Sequence, residues 1–321
     1  MSTLVFVEHQ GDQVARGSLG VLGKAADLGG EVGAVMVGGT EVKALAADLG
    51  RHGAAVVHVA EDDSFVPALP QPRVDVLAHV VRAHGYDTVL FSNSVLAADV
   101  AGGLAARLDA GLNWDLVDIA PGDGSIIGKR LALGDSLLVE VGWRTSPRLA
   151  LFRPGSFEPV GRDGQARVET VSVELLDHSR AARVVEHRVE ADSGPSLESA
   201  EVVVTGGMGL GGPEHLSLAE DLAGVLGGVV GATRAVVYAG WAPHSAQVGQ
   251  TGKTVSPKLY VALGVSGAVQ HKVGMQSSQT IVAINSDPRA PIFEFCDLAV
   301  VGDVHEVVPR LVELLRARTS G

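Results

Sequence analysis

Four short segments in the second half of the chain carry residue types able to hold a nucleotide. "GGMGLGG", residues 206–212, falls between a Val-rich run and a helical pattern, and its glycines would let a phosphate or a ring approach the backbone closely. A tight turn would read the same way. "QVGQTGK", residues 247–253, offers backbone amides and the Thr251 hydroxyl on a Gly-rich loop, and upstream Arg234 opens "RAVVYAG", which reads as a strand. "GQTGK" shares part of a P-loop, but the Walker spacing is missing, which argues against an NTPase. In "LGVSGAVQH", residues 263–271, a strand ends, Ser266 can cap a helix and Gly267 leaves room, so the first-turn amides make an anion site by geometry. His271 falls about one and a half turns into that expected helix. It could face a bound ring or be an ordinary core or surface histidine. At the strand exits "AINSD" and "VVGD", Asn285 and Asp303 suit ribose or adenine edges, or else cap a turn and a helix.

These loops need strands to present them, because ligands of open parallel sheets bind beyond the strands' carboxyl ends. The second half supplies the strands "AEVVVTGG", "RAVVYAG", "KLYVALGV", "TIVAINS" and "DLAVVG", with helices expected from Pro213, after Ser266 and from Val304. The first half alternates in the same manner: "TLVFVEH", a helix to Leu28, "EVGAVMVG", a helix from Glu41, "AAVVHVA", a helix from Val74, "DTVLFSN", then "AADVAGGLAARL". Strand, helix, strand implies a right-handed parallel sheet. After Gly111 the period changes to short strands joined by Gly, Asp and Pro turns through "SIIGKRLALGDSLLVEVGWRTSPRLALFRPGSF", which predicts an antiparallel extension. Alternation is expected to continue over 166–190, and "SGPSLES" then reads as a connection between domains. The expected class is α/β: two doubly wound parallel-sheet domains, 1–192 with the antiparallel extension and 193–321 with a Rossmann-like nucleotide fold. A length of 321 residues suits two cores.

Composition excludes several classes. A net charge of -12 without a basic patch argues against nucleic acid. The lone Cys296 allows no internal disulfide and no Cys-rich metal site and fits a reducing compartment, so a cytoplasmic location is expected. No signal-like segment opens the chain, and the longest uncharged apolar run, Leu222 to Ala232, is too short and Gly-rich to span a bilayer, so no membrane insertion is expected.

In order, "GATRAVVYAG", "QVGQTGK", "LYVALGVSGAVQH" and "TIVAINSDPRAPIFEFCD" resemble the FAD-binding domain of electron-transfer flavoprotein alpha subunits, almost without interruption from Val203 to Leu315. Residues 1–190 resemble that family's first domain in layout and in the opening "LVFVEH". The resemblance implies that Arg234, Gln250, Thr251 and His271 surround the isoalloxazine, with Thr233, Val248 and Gly249 beside them. It implies further that Ser266, Gly267, Ala268, Val269 and Gln270 hold the phosphates and ribityl chain, and that Asn285, Asp303 and Val304 hold the adenosine end. A cation near N1 and the C2 carbonyl stabilises charge added to the ring, so Arg234, with His271 beside it, would favour the anionic one-electron form. Where the family often has Arg, this chain has Met208, which pairs with neither phosphate nor carboxylate.

By the same resemblance the chain pairs with a beta subunit that binds AMP. The pair collects electrons from acyl-CoA dehydrogenases of fatty-acid β-oxidation and related enzymes for a membrane quinone reductase. No Cys nucleophile, metal-ligand cluster or acid–base pair accompanies the flavin loops, so an electron carrier is expected rather than an enzyme, and no metal site is assigned. The alternatives are a flavin- or nicotinamide-dependent dehydrogenase, which needs a base beside N5, an electron-bifurcating variant with a second FAD in the beta subunit, and a nucleotide-binding interaction protein.

Overall fold

The computed structural model describes residues 1–122, 125–133, 137–186, 197 and 200–319, and the chain divides into two compact units, Met1–His187 and Arg188–Gly321. The boundary expected between 192 and 193 lies outside the described residues.

In the first unit, Val-rich runs become strands because β-branched side chains fit a pleated sheet covered on both faces. Ser2–Phe6, Glu31–Gly38, Val56–Glu61 and Thr88–Ser92 pair in parallel. Their spatial order, third, second, first, fourth, is that of one doubly wound family. Helices Pro70–His84 and Val95–Leu108 cover one face and Arg16–Asp27 the other. The helix expected from Val74 starts at Pro70, in the first turn, where proline's missing N–H removes no bond. Ser94 caps the next helix by accepting from the Ala97 amide at 2.9 Å.

Past Gly111, strands Leu112–Gly122, Ser125–Ala132 and Leu137–Val141 are antiparallel, as expected. Strand Arg148–Phe152 departs from that extension. It returns to the middle of the sheet, parallel both to Thr88–Ser92 and to Leu112–Gly122. The hairpins themselves act as its crossover, where a parallel return normally uses a helix. Over 166–186 the alternation gives way to an edge strand, Arg167–Thr170, paired in parallel with Val56–Glu61, and a single helical turn, Asp177–Arg180.

The second unit holds five parallel strands: Val202–Gly206, Val229–Ala232, Leu259–Leu263, Ile281–Asn285 and Leu298–Val301. Their order, second, first, third, fourth, fifth, is the other common doubly wound arrangement, whose switch point lies between its first and third strands. Helices Ser217–Leu226 and Val304–Thr319 pack on one face, and Val269–Met275 reaches the other through the buried Met275.

One expected element changes type. "RAVVYAG" is not a strand; Arg234–Tyr238 is a short helix with Thr233 at its N-cap position, and the strand is the preceding run, Val229–Ala232. Both runs are β-branched, so propensity does not choose between them. Pairing with Val202–Gly206 claims the first run, and the chain must turn on leaving the sheet. At the switch point, Gly207 lies so close to Gly264 that a Cβ on Gly207 would overlap the Gly264 carbonyl. Gly264 itself has φ 62, a left-handed conformation that favours glycine.

Candidate functional site

The carboxyl ends of Val202–Gly206 and Leu259–Leu263 open onto a cavity of about 610 Å³, within the range of cofactor pockets. Four loops form its wall. Met208 and Gly209 come from the first strand exit, and Thr233, Arg234, Ala235 and Tyr238 from the second. Gln247, Val248, Gly249, Gln250 and Thr251 supply the Gly-rich loop. Gly264, Val265, Ser266, Ala268, Gln270 and His271 follow the third strand, and Asn285, Asp287, Ala290 and Pro291 the fourth.

The structure therefore brings together most of the residues singled out by sequence. Four stand outside the wall. The Val269 side chain is 70% exposed and Val304 is buried in the core under the last helix. Gly267, at φ 88, packs against the Ile292 backbone. Asp303 caps the last helix by accepting from the His305 amide at 2.9 Å, the cap reading offered by its position. Asn285 both lines the cavity and shapes its loop: Nδ2 donates to the Val265 carbonyl at 2.8 Å and Oδ1 accepts from the Asp287 amide at 3.0 Å.

His271 sits in the first turn of helix Val269–Met275, earlier than expected, because the N-cap position falls at Ala268 and not at Ser266. Its Nε2 lies 2.9 Å from the hydroxyl of Tyr260, which is completely buried. Burial lowers the His271 pKa to about 4; the Val248 backbone works in the other direction without making a well-formed hydrogen bond to Nδ1. The ring is thus neutral near pH 7, and it offers a ligand a directed nitrogen rather than the positive charge considered from sequence.

Three buried polar atoms from cavity-lining residues have no partner: Thr233 Oγ1, Gln247 Oε1 and His271 Nδ1. Gln247 Nε2 donates to Thr251 Oγ1 at 3.1 Å, which orients the amide. An unsatisfied buried polar group costs about 1–3 kcal/mol, so a wall with three of them is built to receive a polar ligand. Next to them, none of the backbone N–H groups from Ser266 to Gln270 donates to another described residue. The Arg234 guanidinium lies 4.8 Å from the Tyr238 ring centroid and donates to the Tyr238 hydroxyl at 3.3 Å, with no carboxylate partner among the described residues. Donors, a cation and apolar side chains in one wall suit a ligand that joins a flat ring to a pyrophosphate, as FAD does.

Tyr238 and Gln247 escaped the sequence reading. An Arg followed four residues later by a Tyr is a helical contact spacing, which is invisible when the segment is read as a strand.

The fold and this wall define a doubly wound α/β protein with a cofactor-sized cavity at its switch point. Residues 3–176 match the family model described as "Electron transfer flavoprotein domain" and residues 196–276 the one described as "Electron transfer flavoprotein FAD-binding domain". The first match extends the likeness across the half that had resembled the family only in layout. "Electron transfer flavoprotein subunit alpha" of Mycobacterium leprae is 41% identical over 318 residues, covering 98% of each chain. The protein of the same name from Mycobacterium tuberculosis H37Rv is 42% identical over 316 residues, again 98% of each. "Protein FixB" of Rhizobium meliloti is 35% identical over 98% of this chain and 92% of its own. The chain belongs to the electron transfer flavoprotein alpha subunit family. No helix among the described residues is long and apolar enough to cross a membrane.

Proposed function

We propose that this chain is the FAD-carrying half of a heterodimeric electron-transfer flavoprotein, an electron carrier that serves dehydrogenases such as acyl-CoA dehydrogenases and delivers to a membrane quinone reductase. The observation that carries this reading is the switch-point cavity, where Arg234, without a carboxylate partner among the described residues, a neutral His271 and the amides of Ser266–Gln270 converge. FAD, when bound, supplies the redox chemistry by accepting and releasing electrons. Arg234 provides a fixed positive charge for the ring, and His271, held by Tyr260, provides a directed nitrogen. Gln250 and Thr251 close over the ring from the Gly-rich loop. The backbone of Gly267 and Val269 serves the phosphates although neither residue lines the cavity, and Asn285 with Asp303 borders the adenosine end.

The wall itself favours a carrier. Among its described residues there is no cysteine, one oxygen of its single carboxylate, Asp287, accepts from the Arg289 amide at 2.9 Å, and burial lowers the pKa of His271 to about 4, which makes it a weak base. Exposed apolar side chains in the first unit support a partner surface there. Trp114, Leu133, Leu137 and Leu138 are each more than half exposed on or beside the antiparallel strands, a grouping expected of an interface. A beta subunit holding AMP is the proposed occupant.

Nucleotide extraction from the purified complex tests the reading. One FAD with one AMP is expected. Two FADs would instead indicate the bifurcating variant, and a stable heterodimer that takes up no flavin would overturn the proposal.

A further inference from the structure

A second constellation lies in the first unit, in residues that the flavin reading leaves unused. His58 on strand Val56–Glu61 and Glu169 on edge strand Arg167–Thr170 are direct partners in the parallel register, so their side chains leave the same face of the sheet. His84 closes the helix Pro70–His84 that covers that face, and its ring centroid is 4.2 Å from that of His58. One ligand atom from each of the three lies within 4.8 Å of the others.

His58 is wholly buried. Its Nε2 is 2.8 Å from the Tyr86 hydroxyl, and its Nδ1 has no hydrogen-bond partner although Glu169 Oε2 is 3.4 Å away. The other carboxylate oxygen of Glu169 accepts from Arg167 Nε at 2.8 Å, which leaves Oε2 turned toward the imidazole. A buried nitrogen without a partner, aimed at a carboxylate and flanked by a second imidazole, is a ligand set lacking its centre.

We propose that His58, His84 and Glu169 bind a divalent transition-metal ion of the zinc type, with Tyr86 fixing the orientation of the His58 ring. Two imidazoles and one carboxylate suit zinc, cobalt or nickel better than magnesium or calcium, which prefer all-oxygen shells. A tetrahedral zinc with bonds of about 2.0–2.1 Å spaces its ligand atoms roughly 3.3 Å apart, and the His58–Glu169 pair is already near that separation. His84, on the exposed side, closes onto the ion, and water completes the fourth position. The Tyr86 hydroxyl on the far nitrogen takes the place that a carboxylate, backbone carbonyl or water usually fills, and so sets which nitrogen faces the metal. The ion would tie the edge strand to the covering helix. It requires no flavin, so its failure and failure of the flavin reading are separate results.

The test uses the flavin-loaded complex, stripped with a chelator and returned to chelator-free buffer. Zinc is titrated by calorimetry, and cobalt is followed by visible absorption beyond the flavin bands. One ion per chain is expected, with the cobalt spectrum of a four-coordinate nitrogen and oxygen site. His84→Ala and Glu169→Gln should each weaken zinc binding at least tenfold, and Tyr86→Phe about tenfold. FAD content and the metal-free unfolding midpoint of the first two variants should not change, since both positions are at the surface edge of the unit. Zinc affinity unchanged in His84→Ala and Glu169→Gln, or no zinc uptake by the native complex, would overturn the proposal.

Discussion

Each unit buries a histidine against a tyrosine, and the two pairs are nearly superimposable in their chemistry. His58 Nε2 is 2.8 Å from the Tyr86 hydroxyl and His271 Nε2 is 2.9 Å from that of Tyr260. In both, burial is the main cause that takes the histidine pKa to about 4, and in both Nδ1 lacks a hydrogen bond. What differs is where the second nitrogen finds itself. In the first unit, Nδ1 meets an edge-strand carboxylate and another histidine. In the second, the histidine stands in the wall of a large cavity that also holds the amides of Ser266–Gln270 and Arg234. The same buried pair thus meets a carboxylate and a second imidazole in one place and a cofactor-sized cavity in the other. Its surroundings assign the role.

The largest contrast should come from a glycine substitution in each unit. Gly207→Ala forces backbone against backbone at the switch point, where nothing can swing aside, and should destabilise the second unit by roughly 3 kcal/mol and abolish FAD retention. Gly33→Ala instead pushes on the Tyr86 ring, a side chain that can shift, so about 1–2 kcal/mol is expected with FAD content intact. Flavin absorbance per chain and urea midpoints distinguish them; flavin retained in Gly207→Ala would refute the role given to that contact.

Acid should weaken both units in the same window. Each histidine has a folded pKa near 4 against an ordinary 6.5, so on acidification the unfolded chain takes up the proton first. The stability that the neutral rings contribute is complete above pH 6.5 and is lost as pH falls from 6.5 toward 4, by at most a few kcal/mol per histidine. Urea titrations of metal-free protein at pH 7 and pH 5 check this. The pH dependence should shrink in His58→Asn and in His271→Asn, and equal slopes in all three proteins would contradict it.

Tyr260→Phe and Tyr86→Phe each strand a buried imidazole nitrogen, at a cost of about 1–3 kcal/mol. Only Tyr260→Phe should loosen FAD, which flavin release on dilution would show. Equal effects on flavin would erase the distinction drawn between the pairs.

Arg234→Ala should give the smallest change in free energy and the most specific one. Removing a fixed charge from beside the ring should lower the first one-electron reduction potential of the bound flavin, with folding unaffected because Arg234 is exposed. A unit charge about 4 Å away is worth on the order of 4 kcal/mol at an effective dielectric near 20, and even a tenth of that is readable by potentiometry. Arg234→Lys should recover part of the shift. An unchanged potential with FAD still bound would remove Arg234 from the ring's surroundings.

The strands were legible because Val- and Ile-rich runs bounded by Gly leave little alternative; Glu31–Gly38 and the start of the helix at Val304 fall where the sequence put them. The loops that line the cavity were legible as well, since glycines at strand exits and the run from Ser266 to His271 form a local pattern. Composition and local pattern determined the α/β class, the two-part plan and the family. Tertiary structure alone decided the rest, wherever two readings were locally equal or the partners were distant. It chose Val229–Ala232 over "RAVVYAG" as the strand, because only the first run finds a pairing edge. It sent Arg148–Phe152 back into the sheet instead of along the hairpin. It neutralised His271 by burying it against Tyr260, since desolvation depends on what packs around a ring and not on its neighbours in sequence. And it set His58, His84 and Glu169 side by side, residues too far apart along the chain for any spacing rule, through one strand register and one helix end.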